Sequence, residues 1–241
     1  MKLDTNSNLY TFIYASVMVI VVAAALAFTA VKLKPMQDKN IRVEKMQNIL
    51  QSIGIKASFE DAEQLYQTHI KNAFAVNSKG EKLKDVKAFD INLKIQAKAS
   101  ADKRVLPVYE AETDDGAKKI IIPLRGKGLW GPIWGYFALN DDYNTIYGAV
   151  FDHKGETPGL GAEIATSWFQ KQFVGKTLFD GEKFVSITVY KGGKGSALKA
   201  GNTQHGVDAI SGGTITSKGL EKMVKDGWLF AYKNFLEKNK K

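Results

Sequence analysis

Apolar residues follow different patterns in successive parts of the chain. From Tyr10 to Val31 they are nearly continuous, dominated by Val, Ile, Ala and Phe, and no charged residue falls between Asp4 and Lys32. That length matches the roughly 20 residues needed to cross a hydrocarbon core of about 30 Å as a helix, which satisfies its backbone groups internally. One transmembrane helix is predicted over residues 10–33, after a tail of residues 1–9. Tyr10 and Tyr14 at one end and Lys32 and Lys34 at the other suit the two membrane interfaces. The competing reading is a cleaved signal peptide, helped by Ala25-Leu26-Ala27 and Phe28-Thr29-Ala30. The apolar core exceeds the usual h-region of about 7 to 15 residues, and the segment before it carries only Lys2, so a retained helix is expected.

Beyond the span, Ile41, Met46, Ile49, Leu50 and Ile53 recur among Lys, Glu and Gln with an imperfect helical period. This predicts a membrane-proximal helix over Asp38 to Ile53, within a linker of residues 34–57. Residues 58–241 are expected to form the extramembrane domain. Ser58 reads as the N-cap of a short helix, and Ile70 to Val76 as a strand closed by the Asn77-Ser78-Lys79-Gly80 turn. From Arg104 the pattern becomes β. Val105 to Ala111 and Ile120-Ile121-Ile122 flank the turn Asp114-Asp115-Gly116, and Ile133 to Leu139 and Ile146 to Phe151 continue across Asn140-Asp141-Asp142. Ile164 to Phe173 reads as an amphipathic helix and Phe184 to Tyr190 as a strand. Leu220 to Phe235 reads as a final helix with Leu220, Met223, Val224, Gly227, Ala231 and Phe235 on one face. Strands with helices toward the ends imply an α+β fold, an antiparallel sheet with packed helices.

Composition narrows the chemistry. With 44% hydrophobic residues over 241 positions, the chain buries a sizeable core. It has no cysteine, which excludes disulfides, cysteine-held iron–sulfur clusters and thiol nucleophiles, so redox chemistry would need a cofactor. His69, His153 and His205 lack metal-ligand spacing, and no metal site is expected. The net charge of +9 is spread along the chain without a dense basic block, which reads as a solvated surface and argues against nucleic acid. Lys32, Lys34, Lys39, Arg42 and Lys45 follow the apolar span while Lys2 stands nearly alone before it, so the positive-inside rule would leave the large domain cytoplasmic.

Several segments imitate ligand-binding motifs. Gly126-Lys127-Gly128-Leu129-Trp130-Gly131 matches G-x-G-x-x-G, but Pro132 and an apolar run lead into a second strand where the dinucleotide fingerprint needs a helix. A Gly-rich turn flanked by Trp130 and Trp134 remains, either core packing or a wall beside an aromatic cofactor. Lys191-Gly192-Gly193-Lys194-Gly195-Ser196 fails the phosphate-loop spacing and reads as a flexible loop. In His153-Lys154-Gly155-Glu156-Thr157-Pro158-Gly159-Leu160-Gly161, two glycines around Leu160 allow close approach to a flat ligand, with Glu156 and Thr157 as polar groups at its edge. The stretch reads equally as an ordinary structured turn. A hydrolase using Glu156 and His153 lacks a nucleophile signature. Asp208-Ala209-Ile210-Ser211-Gly212-Gly213-Thr214-Ile215-Thr216-Ser217 precedes the last helix. Its small residues expose Thr214, Thr216 or Ser217 can cap the helix, and the helix N-terminus offers a phosphate seat. On residue chemistry alone, a capped loop fits as well.

Asp208 to Thr214 resembles the D-x-x-[ST]-G-A-T signature at which flavin transferases attach flavin mononucleotide (FMN) by a phosphoester to the last threonine, here Thr214, with Gly213 in place of alanine. Glu156 to Gly161 is similar to the second hallmark of the same FMN-binding domain. With Gly128-Leu129-Trp130, the membrane span and Leu33-Lys34-Pro35…Gln37…Asn40, the chain resembles from end to end the NqrC family, the C subunits of sodium-pumping NADH:quinone oxidoreductases. Two alternatives stand beside this reading: the related G subunits of Rnf electron-transport complexes, which share the two flavin motifs but typically lack the Gly-Leu-Trp element, and a membrane-anchored assembly subunit whose Ser211-Gly212-Gly213-Thr214 loop is unmodified. The resemblance implies an electron carrier with covalent FMN, set in the bacterial inner membrane with its domain in the periplasm, against the charge rule. It implies partner subunits, a flavin transferase during maturation and membrane lipid as contacts, with neither NADH nor quinone bound here. Glu156, Thr157, Gly159, Leu160 and Trp130 would surround the flavin together with Ser211, Gly212 and Gly213, while Asp208 and Ser211 would serve transferase recognition and loop geometry.

Overall fold

The computed structural model describes Thr5 and residues 7–241, so Lys2 lies outside the described residues. The chain divides into two compact units, Met1–Lys45 and Met46–Lys241. A single helix, α1 (Asn8–Ser52), supplies the first unit and enters the second. The sequence suggests a membrane helix followed by a separate linker helix, but α1 runs through Pro35 without interruption. Proline removes one amide donor, a local loss that intact turns on either side outweigh in so long a helix. In the first unit α1 is long and apolar enough to cross a membrane, and its apolar side chains are exposed. It ends in a Schellman turn: Gly54, at φ +87°, donates to the Gln51 carbonyl while Ile55 donates to that of Leu50.

The second unit is built on a six-stranded antiparallel sheet in the order β2-β1-β3-β4-β5-β6. Helix α2 (Ala62–His69) leads into β1 (Ile70–Val76) and β2 (Lys82–Leu83), then the short α3 (Leu93–Gln96). The strands β3 (Leu106–Glu112), β4 (Lys118–Lys127), β5 (Pro132–Asn140) and β6 (Ile146–His153) form a meander. The Ser58 hydroxyl receives the Glu60 and Asp61 amides in a turn ahead of α2, so it caps that turn and not the helix, which starts at Ala62.

The sheet is buried on both faces, which explains the continuous apolar runs in its central strands. Ile120, Ile122 and Leu124 of β4 enter one core with Leu106, Val108, Ile133, Phe137 and Leu139, whereas Ile121 points to a second core with Tyr109, Tyr136 and Ala138. Ile49 and Ile53 from the end of α1 cover that second face. Each fully buried Ile contributes about 1.5–3 kcal/mol.

The larger core is closed by the remaining elements: α4 (Ser167–Lys171), the hairpin β7 (Phe179–Asp180) and β8 (Lys183–Phe184), the parallel pair β9 (Thr188–Tyr190) and β10 (Gly206–Asp208), with α5 (Ser196–Lys199) between them, then α6 (Thr214–Val224) and α7 (Lys233–Asn239). Three predicted elements are subdivided. The helix expected over Ile164 to Phe173 is a 3-10 turn (Gly161–Ala165) and α4, separated by extended Thr166. The strand expected over Phe184 to Tyr190 breaks at Ser186, at φ +53°, whose buried hydroxyl bonds the Val224 carbonyl. The final helix breaks after Val224 and resumes through a 3-10 turn (Leu229–Tyr232) into α7. The break brings Trp228, Leu229 and Tyr232 into the core beside Leu220 and Met223, burial that one straight helix face would not provide.

Candidate flavin site

The site is assembled where α6 meets the β4–β5 hairpin. Gly128 donates to the Gly131 carbonyl at 2.8 Å and closes the turn after β4, so the apparent dinucleotide fingerprint is a hairpin turn. At Gly219 a Cβ would collide with the Lys127 carbonyl oxygen, so only glycine lets α6 lie this close to the end of β4. That contact carries the N-terminus of α6 to the Gly128–Gly131 turn.

Between them is a cleft of about 230 Å³ lined by Leu129, Trp130, Glu156, Thr157, Leu160, Gly161 and residues Gly212 to Thr216. Glu156 is its centre and is only 4% exposed. One carboxylate oxygen accepts the Trp130 amide at 2.9 Å and the other the Thr216 hydroxyl at 2.5 Å, so the side chain joins the hairpin turn to the first turn of α6. Burial pushes the Glu156 carboxyl up. The Thr216 hydroxyl and the amides of Trp130, Gly131 and Leu129 outweigh burial and hold it below the ordinary 4.5. The Glu156 amide donates to His153 Nδ1 at 3.1 Å, so the imidazole holds the Glu156 backbone, and His153 does not line the cleft.

The glycines around the carboxylate leave no spare room. A Cβ on Gly161 would stand 2.5 Å from both Glu156 Oε2 and Thr216 Oγ1, and one on Gly213 2.9 Å from Ile210 Cγ2 and 3.1 Å from the Leu160 carbonyl. Gly213 is the N-cap of α6, and Thr214 is its first residue. Neither Thr216 nor Ser217 caps the helix, therefore. Thr216 serves Glu156, and the Ser217 hydroxyl accepts the Ile210 amide at 3.1 Å. The hydroxyls within the cleft thus differ. Thr216 is 1% exposed and committed, whereas Thr214 and Thr157 are exposed.

The structure gathers Trp130, Glu156, Thr157, Leu160, Gly212, Gly213 and Thr214 from three separate stretches of the chain into one cleft. Gly159, Asp208 and Ser211 line a neighbouring groove with Trp168, Gln172 and Lys194. Trp134 lies outside both. Thr216 is the cleft residue the sequence hides. It looks like a cap, and its partner is 60 positions away.

Known proteins similar to this chain share one family. The FMN-binding domain family matches residues 128–228, which spans the hairpin turn, the cleft and α6. The C subunit of the Na(+)-translocating NADH-quinone reductase of Haemophilus ducreyi is 31% identical over 93% of this chain and 91% of its own length. That of Neisseria meningitidis serogroup A is 33% identical over 91% and 89%. The crystal structure of the C subunit from Parabacteroides distasonis superposes with a TM-score of 0.73 at 42% identity, covering 85% of this chain and 96% of that one. The Shewanella oneidensis NqrC structure gives 0.68 at 28%, covering 83% and 97%. By sequence over nearly its whole length and by fold, this chain belongs to the NqrC family, the C subunits of Na+-translocating NADH-quinone reductases.

Proposed function

We propose that the chain is a membrane-anchored electron-transfer subunit of such a reductase, holding FMN through a phosphoester on Thr214 and relaying single electrons between redox centres of neighbouring subunits. The observation that carries this reading is the contrast between the threonines of the cleft. Thr216 is buried and donates to Glu156, while Thr214 is exposed at the first position of an 11-residue helix. The amides of a first helical turn have no intrahelical acceptor and, with the helix dipole, favour a phosphate. Thr157, the other exposed hydroxyl, sits in a turn whose carbonyl is occupied by the Leu160 and Ala162 amides.

The remaining walls suit a flat aromatic ring: Leu129, Trp130, Leu160 and Ile215 are all substantially exposed. Bound FMN would supply one-electron chemistry, and a permanent tether keeps the carrier from being lost between transfers. The chain's own part is to hold the phosphate at α6, fix the ring's surroundings through Glu156 and exclude ring motion with Leu160 and Trp130. Because no charged residue falls between Asp4 and Lys32, sodium passage is assigned to other subunits. We place the FMN-binding domain in the periplasm, where the family's transferase acts. Protease added to intact spheroplasts should then digest the domain, and complete protection would reverse the orientation.

The tether is tested by coexpression with a flavin transferase, followed by in-gel flavin fluorescence after denaturation and intact-mass measurement. Wild type should be fluorescent and carry one FMN, and Thr214→Ala should carry none. A bare wild-type polypeptide, or a Thr214→Ala chain that still carries FMN, overturns the assignment.

A further inference from the structure

Glu156 is the one charged side chain among the residues lining the cleft. Its carboxylate is wedged in place: a Cβ on Gly128 would stand 2.5 Å from Oε1, and one on Gly161 2.5 Å from Oε2. Among the described residues no lysine, arginine or histidine forms an ion pair with it. Neutral donors, the Trp130 amide and the Thr216 hydroxyl, hold its two oxygens instead. A cation beside the carboxylate would cancel much of its field, whereas neutral donors leave a net negative charge at the wall. With Glu156 only 4% exposed, little water or salt reaches that charge to screen it.

We propose that Glu156 sets the reduction potential of the flavin held in this cleft and that Thr216 is its positioning residue: the hydroxyl pins an uncompensated negative charge at the wall, where it opposes the arrival of an electron. This rests on the covalent-FMN reading. In the transfer, FMN is reduced by one electron and the donor centre in a neighbouring subunit is oxidised by one. No bond in this chain forms or breaks, and Glu156 keeps its charge. Both redox states therefore meet the same fixed carboxylate, and the more negative state is the one it repels. Without the Thr216 hydroxyl, burial would draw the carboxyl toward its neutral form and weaken the charge.

The experiment is a redox titration of the full chain in detergent at neutral pH, after coexpression with a flavin transferase and measurement of intact mass to establish that FMN is attached. Glu156→Gln should favour the reduced flavin about tenfold for each electron, a rise of about 59 mV, which is the effect of a unit charge over about 12 Å at an effective dielectric constant of about 20. Thr216→Ser keeps the hydroxyl and should hold the wild-type potential, while Thr216→Val should raise it by less than Glu156→Gln. In the Glu156→Gln background Thr216→Val should add nothing, because no charge is left to position. A reduction equilibrium within about twofold of wild type in Glu156→Gln, or an equal rise from Thr216→Val with and without the carboxylate, overturns the proposal. Should Glu156→Gln fail to fold or to take up FMN, the two Thr216 variants decide alone, and equal potentials in Thr216→Ser and Thr216→Val overturn it. Failure of wild type to accept FMN would instead remove the covalent reading itself.

Discussion

The Gly128–Gly131 turn and the Gly192–Gly195 loop are both glycine-rich, both have lysine within or beside them, and both are held by a carboxylate from a distant segment. They differ in what the carboxylate connects. Glu156 spends one oxygen on the turn and the other on Thr216, so it couples the hairpin to the helix that carries Thr214. Asp208 spends both oxygens on the loop and the start of α5. The first is buried and joins elements of the core, whereas the second is partly exposed and shapes a surface. A buried carboxylate that loses a partner leaves an unsatisfied charge, and a surface one can turn to water. Disturbing the two should therefore give unequal results.

The largest effect is expected from Gly161→Ala, whose methyl would be driven between Glu156 and Thr216. It should cost about 3 kcal/mol, from overpacking together with a broken buried hydrogen bond, and lower the urea midpoint accordingly. Glu156→Gln comes next, at about 1–3 kcal/mol at neutral pH, since a carboxamide has one acceptor oxygen for two donors. This variant also sharpens the electrostatic claim. The folded carboxyl is held below 4.5, so its contribution is complete above that value and is lost as pH falls through the lower folded value. The stability gap between wild type and Glu156→Gln should therefore narrow in acid, and a gap unchanged from neutral pH downward would show that the group is not ionised in the cleft.

Asp208→Asn should lower global stability by no more than about 1 kcal/mol, because a surface loop opens locally before the core does. Its signature should be faster hydrogen exchange confined to residues 191–199. Gly213→Ala should cost about 1 kcal/mol, the low end of an overpacking cost, because the methyl would press on the buried Ile210 Cγ2 and the Leu160 backbone. Flavin attachment to Thr214 should survive it, which mass measurement would check. A Gly213→Ala chain that stays bare would show that the residue before the acceptor matters by shape.

Much of the sheet was legible because strand residues carry local signals. Ile70 to Val76 is β1 as read, and the Ile120-Ile121-Ile122 run marks a strand covered on both faces. Element breaks were not legible. Val224 to Tyr232 has helical periodicity, but the core takes up Trp228, Leu229 and Tyr232 only if the helix is interrupted, and Ser186 enters a left-handed conformation to bond Val224. Such gains come from residues remote in sequence, which no local pattern records.

The chain's own order of residues determined that an apolar span stands near the start, that a hairpin turns at Gly128–Gly131 and that small residues surround Thr214. Only the tertiary structure decided which hydroxyl is free. Thr216 is withdrawn from solvent by a carboxylate 60 positions earlier, and Thr214 is left at the mouth of α6 because Gly219 lets that helix close on β4. Burial and hydrogen bonding across such separations depend on the folded path of the chain, and two threonines two residues apart acquire different chemistry from it.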